Sequence, residues 1–222
     1  MIQGDDYQSV LARRNEIMRR SVGIDYGAYV DGRLSFDYER LLSDTGYDIE
    51  TTRSLQLGSA VGNTPLVELP HLTRLVRALA PKGKGARILL KDEAANPSGS
   101  FKDRRASLSV HEAVKRGYPG IAAATSGNYG AAVASHAAKA GLRCIIVQEA
   151  FDSKGIAQPE ISEKTRACEA YGAEVMRLSV GPELFYVFLR VREHTGFFNA
   201  SLYTRYSILG IETLGHEVAV QT

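Results

Sequence analysis

From residue 61 onward, short apolar runs alternate with stretches of helical period. The runs at 66–69, 87–91, 121–124, 143–148, 174–178 and 196–199 predict strands. The stretches at 71–79, 101–116, 129–140, 159–171, 182–194 and 207–220 predict helices. Pro159 and Pro182 suit a first helical turn, where a missing N–H costs nothing. Gly117, Gly141 and Gly172 fall just past helix ends, where a left-handed residue is favoured. Strand alternating with helix implies parallel strands joined by crossover helices, so the fold class is α/β. Such folds bind ligands at strand-to-helix turns.

The first sixty residues differ in texture. Tyr7, Val10, Leu11, Ile17 and Met18 form one helical stripe, with Asp5 and Asp6 ahead of it and Gly23 behind. Two further short helices are expected, at 37–43 with a stop near Gly46 and at about 48–56. This region, 1–60, is read as a structural arm without chemistry of its own.

Composition narrows the field. The chain has 222 residues, 27 Lys and Arg against 25 Asp and Glu, and two cysteines. A near-neutral balance gives no electrostatic ground for nucleic acid or a membrane surface. No apolar run approaches the ~18–20 residues of a transmembrane helix, and the N-terminus is too charged for a signal peptide. Cys144 and Cys168 are too few for a disulfide framework, so a reducing cytoplasm is the expected location. Neither cysteines nor histidines show metal-ligand spacing; His136 is read as packed or surface, Cys168 as structural, and Phe185, Tyr186 and Phe188 as core. Asn199-Ala200-Ser201 is a chance glycosylation triplet. The chain stops inside a helical pattern, from which a longer protein is expected.

Three segments carry candidate chemistry. In Asn96-Pro97-Ser98-Gly99-Ser100-Phe101-Lys102-Asp103-Arg104, Ser98 and Ser100 suit an N-cap and Lys102 enters the first helical turn. The positive helix end there favours an uncharged amine, which Schiff-base chemistry requires. On spacing alone, a solvated lysine in a capped helix fits as well. In Thr125-Ser126-Gly127-Asn128-Tyr129-Gly130, small residues and a helix start form a pocket for a carboxylate or phosphate, with backbone N–H groups freed at Gly127 and Gly130. An ordinary close-packed turn is the other reading. Gly62-Asn63-Thr64-Pro65-Leu66 alone is only a turn before an edge strand.

Together and in this order, the three segments resemble the fold type II pyridoxal-phosphate enzymes, over roughly Val61 to Thr222. The resemblance implies a fold like the tryptophan synthase beta chain. It divides the chain into 61–108 as the first part of a large cofactor domain, 109–205 as a small α/β domain and 206–222 as the return to the large one. It makes Lys102 the catalytic, cofactor-holding lysine. It assigns Thr125, Ser126, Gly127 and Asn128 to the substrate carboxylate, with Asn128 also facing the cofactor. Arg104 and Arg105 either favour the cofactor phosphate or lie on a solvated face. The glycine-rich phosphate loop of the superfamily and its residue for the pyridine nitrogen do not occur before Thr222.

Further stretches, among them LARRNEIMRRSVGIDYG, CIIVQEAFDSKGIAQPEI and VGPELFYVFLR, resemble the coenzyme A-dependent thiolase branch of that superfamily. This likeness reaches into the arm. It implies cleavage of a short 2-amino-4-oxo acid with coenzyme A to acetyl-CoA and alanine, a small alpha subunit as partner, and homo-oligomerisation. A threonine synthase or serine/threonine dehydratase activity is the alternative, and a non-catalytic fragment is another.

Overall fold

The computed structural model describes residues 7–22, 25–31, 35–181, 183–201 and 204–222. The expectations for Asp5, Asp6, Gly23 and Pro182 lie outside them.

The arm begins with α1 (Tyr7–Ala12) and α2 (Arg14–Val22), two helices rather than one continuous stripe. A short ladder of β1 (Val30–Asp31) and β2 (Ser35–Phe36) follows. Next come α3 (Tyr38–Ser43) and α4 (Ile49–Gly58). Asp37 and Asp48 cap these last two, each accepting the N–H three residues on. Beyond the arm lie β3 (Leu66–Glu68), α5 (Pro70–Leu79) and β4 (Leu89–Lys91). β3 and β4 pair antiparallel, against the expectation of parallel strands. The stretch 80–88 after α5, which turns at 81–84, brings the chain back alongside β3 in reverse.

The remainder runs α6 (Lys102–Lys115), β5 (Gly120–Thr125), α7 (Asn128–Lys139), β6 (Arg143–Phe151), α8 (Pro159–Ala170), β7 (Glu174–Ser179), α9 (Glu183–Thr195), β8 (Phe198–Asn199) and α10 (Arg205–Gln221). The strands form one parallel sheet in the order β7-β6-β5-β8. Gly117, Gly141 and Gly172 take left-handed φ values of 69°, 68° and 84° just past α6, α7 and α8.

Side chains of the sheet alternate between two cores. Ile121, Ala123, Cys144 and Ile146 face the core built with α6, α7 and α10. Ala122, Ile145 and Val147 face the opposite core, which α9 shares with Val10, Ile17 and Met18 of the arm. α1 and α2 of the arm thus cover one face of the sheet, while Tyr29 and Leu41 of the same arm join the other core. Phe188 is buried in that core, whereas Phe185 stays 43% exposed, contrary to its reading as core.

α10 packs along α6 and α4. The crossing is tight: a Cβ on Gly210 would lie 2.2 Å from the Arg104 carbonyl oxygen. Gln56 of α4, 1% exposed, donates to both the Arg104 and Gly210 carbonyls at 2.9 and 2.7 Å. A single amide therefore satisfies backbone acceptors on two other helices.

Candidate active site

β5 ends at Thr125 and α7 opens at Asn128, so the turn between them lies at the C-terminal edge of a central parallel strand. The first-turn N–H groups of α7 lack intrahelical acceptors and present a positive helix end. Lys102 stands in the first turn of α6. A cleft of about 420 Å³ brings the two together, lined by Lys102, Arg105, residues 124–129 and Ser201. All five residues expected to form the site, Lys102, Thr125, Ser126, Gly127 and Asn128, border this one space.

Lys102 is half-buried. Its amine lies 4.0 Å from the centre of the Phe101 ring. Burial, and secondly the charge of Arg105, push its pKa below the ordinary lysine value. The turn before it is held by side chains. Gly99 takes φ +77°, Ser100 Oγ accepts the Lys102 N–H at 3.3 Å, and Asp103 accepts both the N–H and the hydroxyl of Ser98. Ser98 is therefore a donor to Asp103, not the helix cap; the residue at that position is Phe101, without a side-chain cap bond.

Within the 125–130 turn, Thr125 Oγ1 accepts the N–H groups of Gly127 and Gly130 at 3.0 and 3.3 Å. These two amides serve the turn itself. Gly130 is required for packing rather than for a ligand: a Cβ there would lie 2.7 Å from Thr125 Cγ2 and 3.1 Å from Ile146 Cγ2. Among the described residues, neither the Ser126 hydroxyl nor the Asn128 amide has a protein hydrogen-bond partner. Both are exposed and border the cleft.

Arg105 borders the cleft, stacks 4.4 Å from the Tyr129 ring centre, and donates to Ser207 Oγ at 3.1 Å. Arg104 lies neither on a solvated face nor in the cleft. It is fully buried, donating to Glu93 at 2.7 and 2.8 Å, to Glu217 at 3.0 Å and to Thr213 at 3.2 Å. Glu217 also accepts from Lys91 Nζ and from the backbone N–H groups of Asn63 and Thr64. Gly62 and Asn63 have φ of 85° and 50°, which turns successive N–H groups toward that carboxylate. The Gly62–Leu66 segment thus belongs to a buried ion network beneath α10.

Sequence reasoning missed Ser201. Its Oγ accepts the Ala124 N–H at 2.6 Å and donates to the Ala124 carbonyl at 3.0 Å, extending the β5–β8 pairing to the cleft wall. The signal lay in Asn199-Ala200-Ser201 following a strand, but only the strand order places it beside β5.

The donor set suits pyridoxal phosphate. An amine of lowered pKa, an unpartnered hydroxyl and amide, a guanidinium and an open helix N-terminus surround one space of suitable size. The pyridoxal-phosphate-dependent enzyme family matches residues 57–222, and the chain belongs to that family. It is 61% identical over 215 residues to the 2-amino-4-ketopentanoate thiolase beta subunit of Acetoanaerobium sticklandii, a match covering 97% of this chain and 46% of that protein. A like-named beta subunit from an unknown prokaryotic organism is 59% identical over 221 residues, covering all of this chain and 47% of the other. The chain thus spans about half the length of the curated relatives it matches. Among solved structures, a pyridoxal 5'-phosphate-dependent aspartate racemase superposes with a TM-score of 0.67 at 25% identity, over 78% of this chain and 50% of the other. Among the described residues no helix is long and apolar enough to cross a membrane.

Proposed function

We propose that this chain carries the lysine and the substrate-carboxylate loop of a pyridoxal-phosphate-dependent thiolase. The reaction is cleavage of 2-amino-4-ketopentanoate by coenzyme A to acetyl-CoA and alanine, in concert with an alpha subunit. The observation that carries this reading is the 61% identity that runs through the arm as well as the cofactor-lysine and loop segments.

Pyridoxal phosphate, when bound, supplies the electron sink for bond breaking next to the amino-bearing carbon. The protein's own part is to bind and to move protons. Lys102 would hold the cofactor and, as a free amine beside the substrate, would take up the proton at Cα. Its lowered pKa suits both tasks, since each needs the free amine. Ser126, Asn128 and the start of α7 receive the substrate carboxylate, with Thr125 and Gly127 shaping the turn through their mutual hydrogen bond. Asn128, which borders the same cleft, would also face the cofactor. Arg105, between Lys102 and Tyr129, keeps the cleft positive toward an anionic ligand. The same reading groups 61–108 with 206–222 in a larger unit and 109–205 in a smaller one. The packing of α10 along α6 supports that grouping.

The test is an assay of the relative-length protein with its alpha subunit, following acetyl-CoA release from 2-amino-4-ketopentanoate. Coenzyme A-dependent cleavage is the expected result. Ammonia or phosphate release without any thiol-dependent cleavage would overturn the thiolase reading and leave a lyase or synthase.

A further inference from the structure

α6 and α7 carry the two halves of the cleft, Lys102 and the 125–128 turn. Two residues just after Lys102 on α6 are gripped by α7. Arg105 lies over the Tyr129 ring, and Asp103 Oδ1 meets His136 Nε2 at 2.9 Å. Tyr129 and His136 are seven residues apart, two turns along one face of α7. Asp103 is 0% and His136 5% exposed.

The Asp103 carboxylate divides its work. Oδ1 faces His136, while Oδ2 accepts the Ser98 N–H at 2.9 Å and the Ser98 hydroxyl at 2.7 Å. The chain His136–Asp103–Ser98 therefore ties the middle of α7 to the turn that delivers Lys102. That turn is otherwise anchored at its far end, where Asn96 accepts the Gly62 N–H and donates to Glu93. Without His136, one oxygen of a fully buried carboxylate loses its donor, and that carboxylate is what fixes Ser98.

We infer that His136 is a positioning residue: through Asp103 it holds the 98–101 turn so that the Lys102 amine points at the 125–128 loop. The inference rests on Lys102 being the cofactor lysine. Reactive geometry tolerates little displacement, so loosening this turn lowers capture of pyridoxal phosphate without removing any group that touches it.

The experiment needs no turnover. The chain is mixed with pyridoxal phosphate, reduced with borohydride, and the label mapped by peptide mass on Lys102 against the exposed Lys82 and Lys84. In the unaltered chain Lys102 is labelled preferentially. His136→Ala lowers its labelling rate about tenfold with Lys82 and Lys84 unchanged, and His136→Gln, which keeps a side-chain N–H donor, restores most of it. Should thermal melting show His136→Ala unfolded, Ser98→Ala gives the same reading from the accessible end of the chain, with a smaller fall confined to Lys102. Unaltered Lys102 preference in the variant that folds would overturn the inference. So would equal loss at all three lysines, or failure of His136→Gln to improve on His136→Ala. No preference for Lys102 in the unaltered chain would overturn the cofactor-lysine assignment, and the inference with it.

Discussion

Removing the Glu217 carboxylate tests the buried network around Arg104. Glu217 is 5% exposed and receives Arg104 and Lys91 side chains plus two backbone N–H groups. Burial alone would raise its pKa. The hydrogen bonds from Arg104, Lys91 and the Asn63 N–H outweigh burial and bring it from the ordinary 4.5 to about 2. A depressed carboxylate pKa stabilises the fold above the unfolded value and loses that contribution as pH falls through the folded one. At 1.36 kcal/mol per unit, the gap amounts to about 3 kcal/mol at neutral pH and less than half of that by pH 3. Glu217→Gln leaves Arg104 with Glu93 as its one carboxylate and turns an amide N–H toward donors. Its cost at pH 7 is expected near the ~3–5 kcal/mol of a broken buried pair. For a chain of this length each kcal/mol lowers the melting temperature by about 2–4 °C. Urea titrations of both proteins at pH 7 and pH 3 give the comparison. The difference in unfolding free energy must shrink on acidification. A loss under ~1 kcal/mol at pH 7, or a difference that stays constant down to pH 3, would refute the reasoning.

Other perturbations address the cleft directly. Lys102, with its lowered pKa, is expected to acylate faster at pH 8 than the exposed Lys82 and Lys84, and equal rates by mass mapping would count against the free-amine assignment. Asn128→Ala is expected to weaken binding of an amino acid by about tenfold while barely altering binding of the matching decarboxylated amine, since one charge-assisted hydrogen bond is removed. Isothermal titration that finds both ligands weakened alike would remove the carboxylate role. Gly130→Ala drives a methyl group into Thr125 and Ile146 and is expected to cost about 1–3 kcal/mol in denaturant titrations. A neutral outcome would show that the turn has room to give.

Elements with strong period and clear punctuation were legible in the sequence: all four strands of the parallel sheet and the helices between them, down to the glycines that end α6, α7 and α8. The residues proposed for the site stand out in the sequence for the same local reason. Lys102 and the 125–128 turn each stand at the start of a helix, and parallel topology brings such starts to one edge of the sheet. What stayed hidden depends on partners far along the chain. Arg104 and Arg105 are adjacent in sequence and alike in chemistry, yet α6 turns one into a buried carboxylate network and the other toward the cleft. Nothing near residue 104 reveals that Glu217, 113 positions later, will face it from α10. The β3–β4 pairing escapes the sequence because the direction of β4 is set by the irregular return over 80–88, not by the character of either strand. The sequence leaves His136 as either packed or surface, and the structure buries it. Its bond to Asp103 gives that packing a direction, because the carboxylate it meets is next in sequence to Lys102, the proposed cofactor lysine. Local pattern thus picks out Lys102 and the 125–128 turn, and long-range polar contacts tie the helices that carry them to one another.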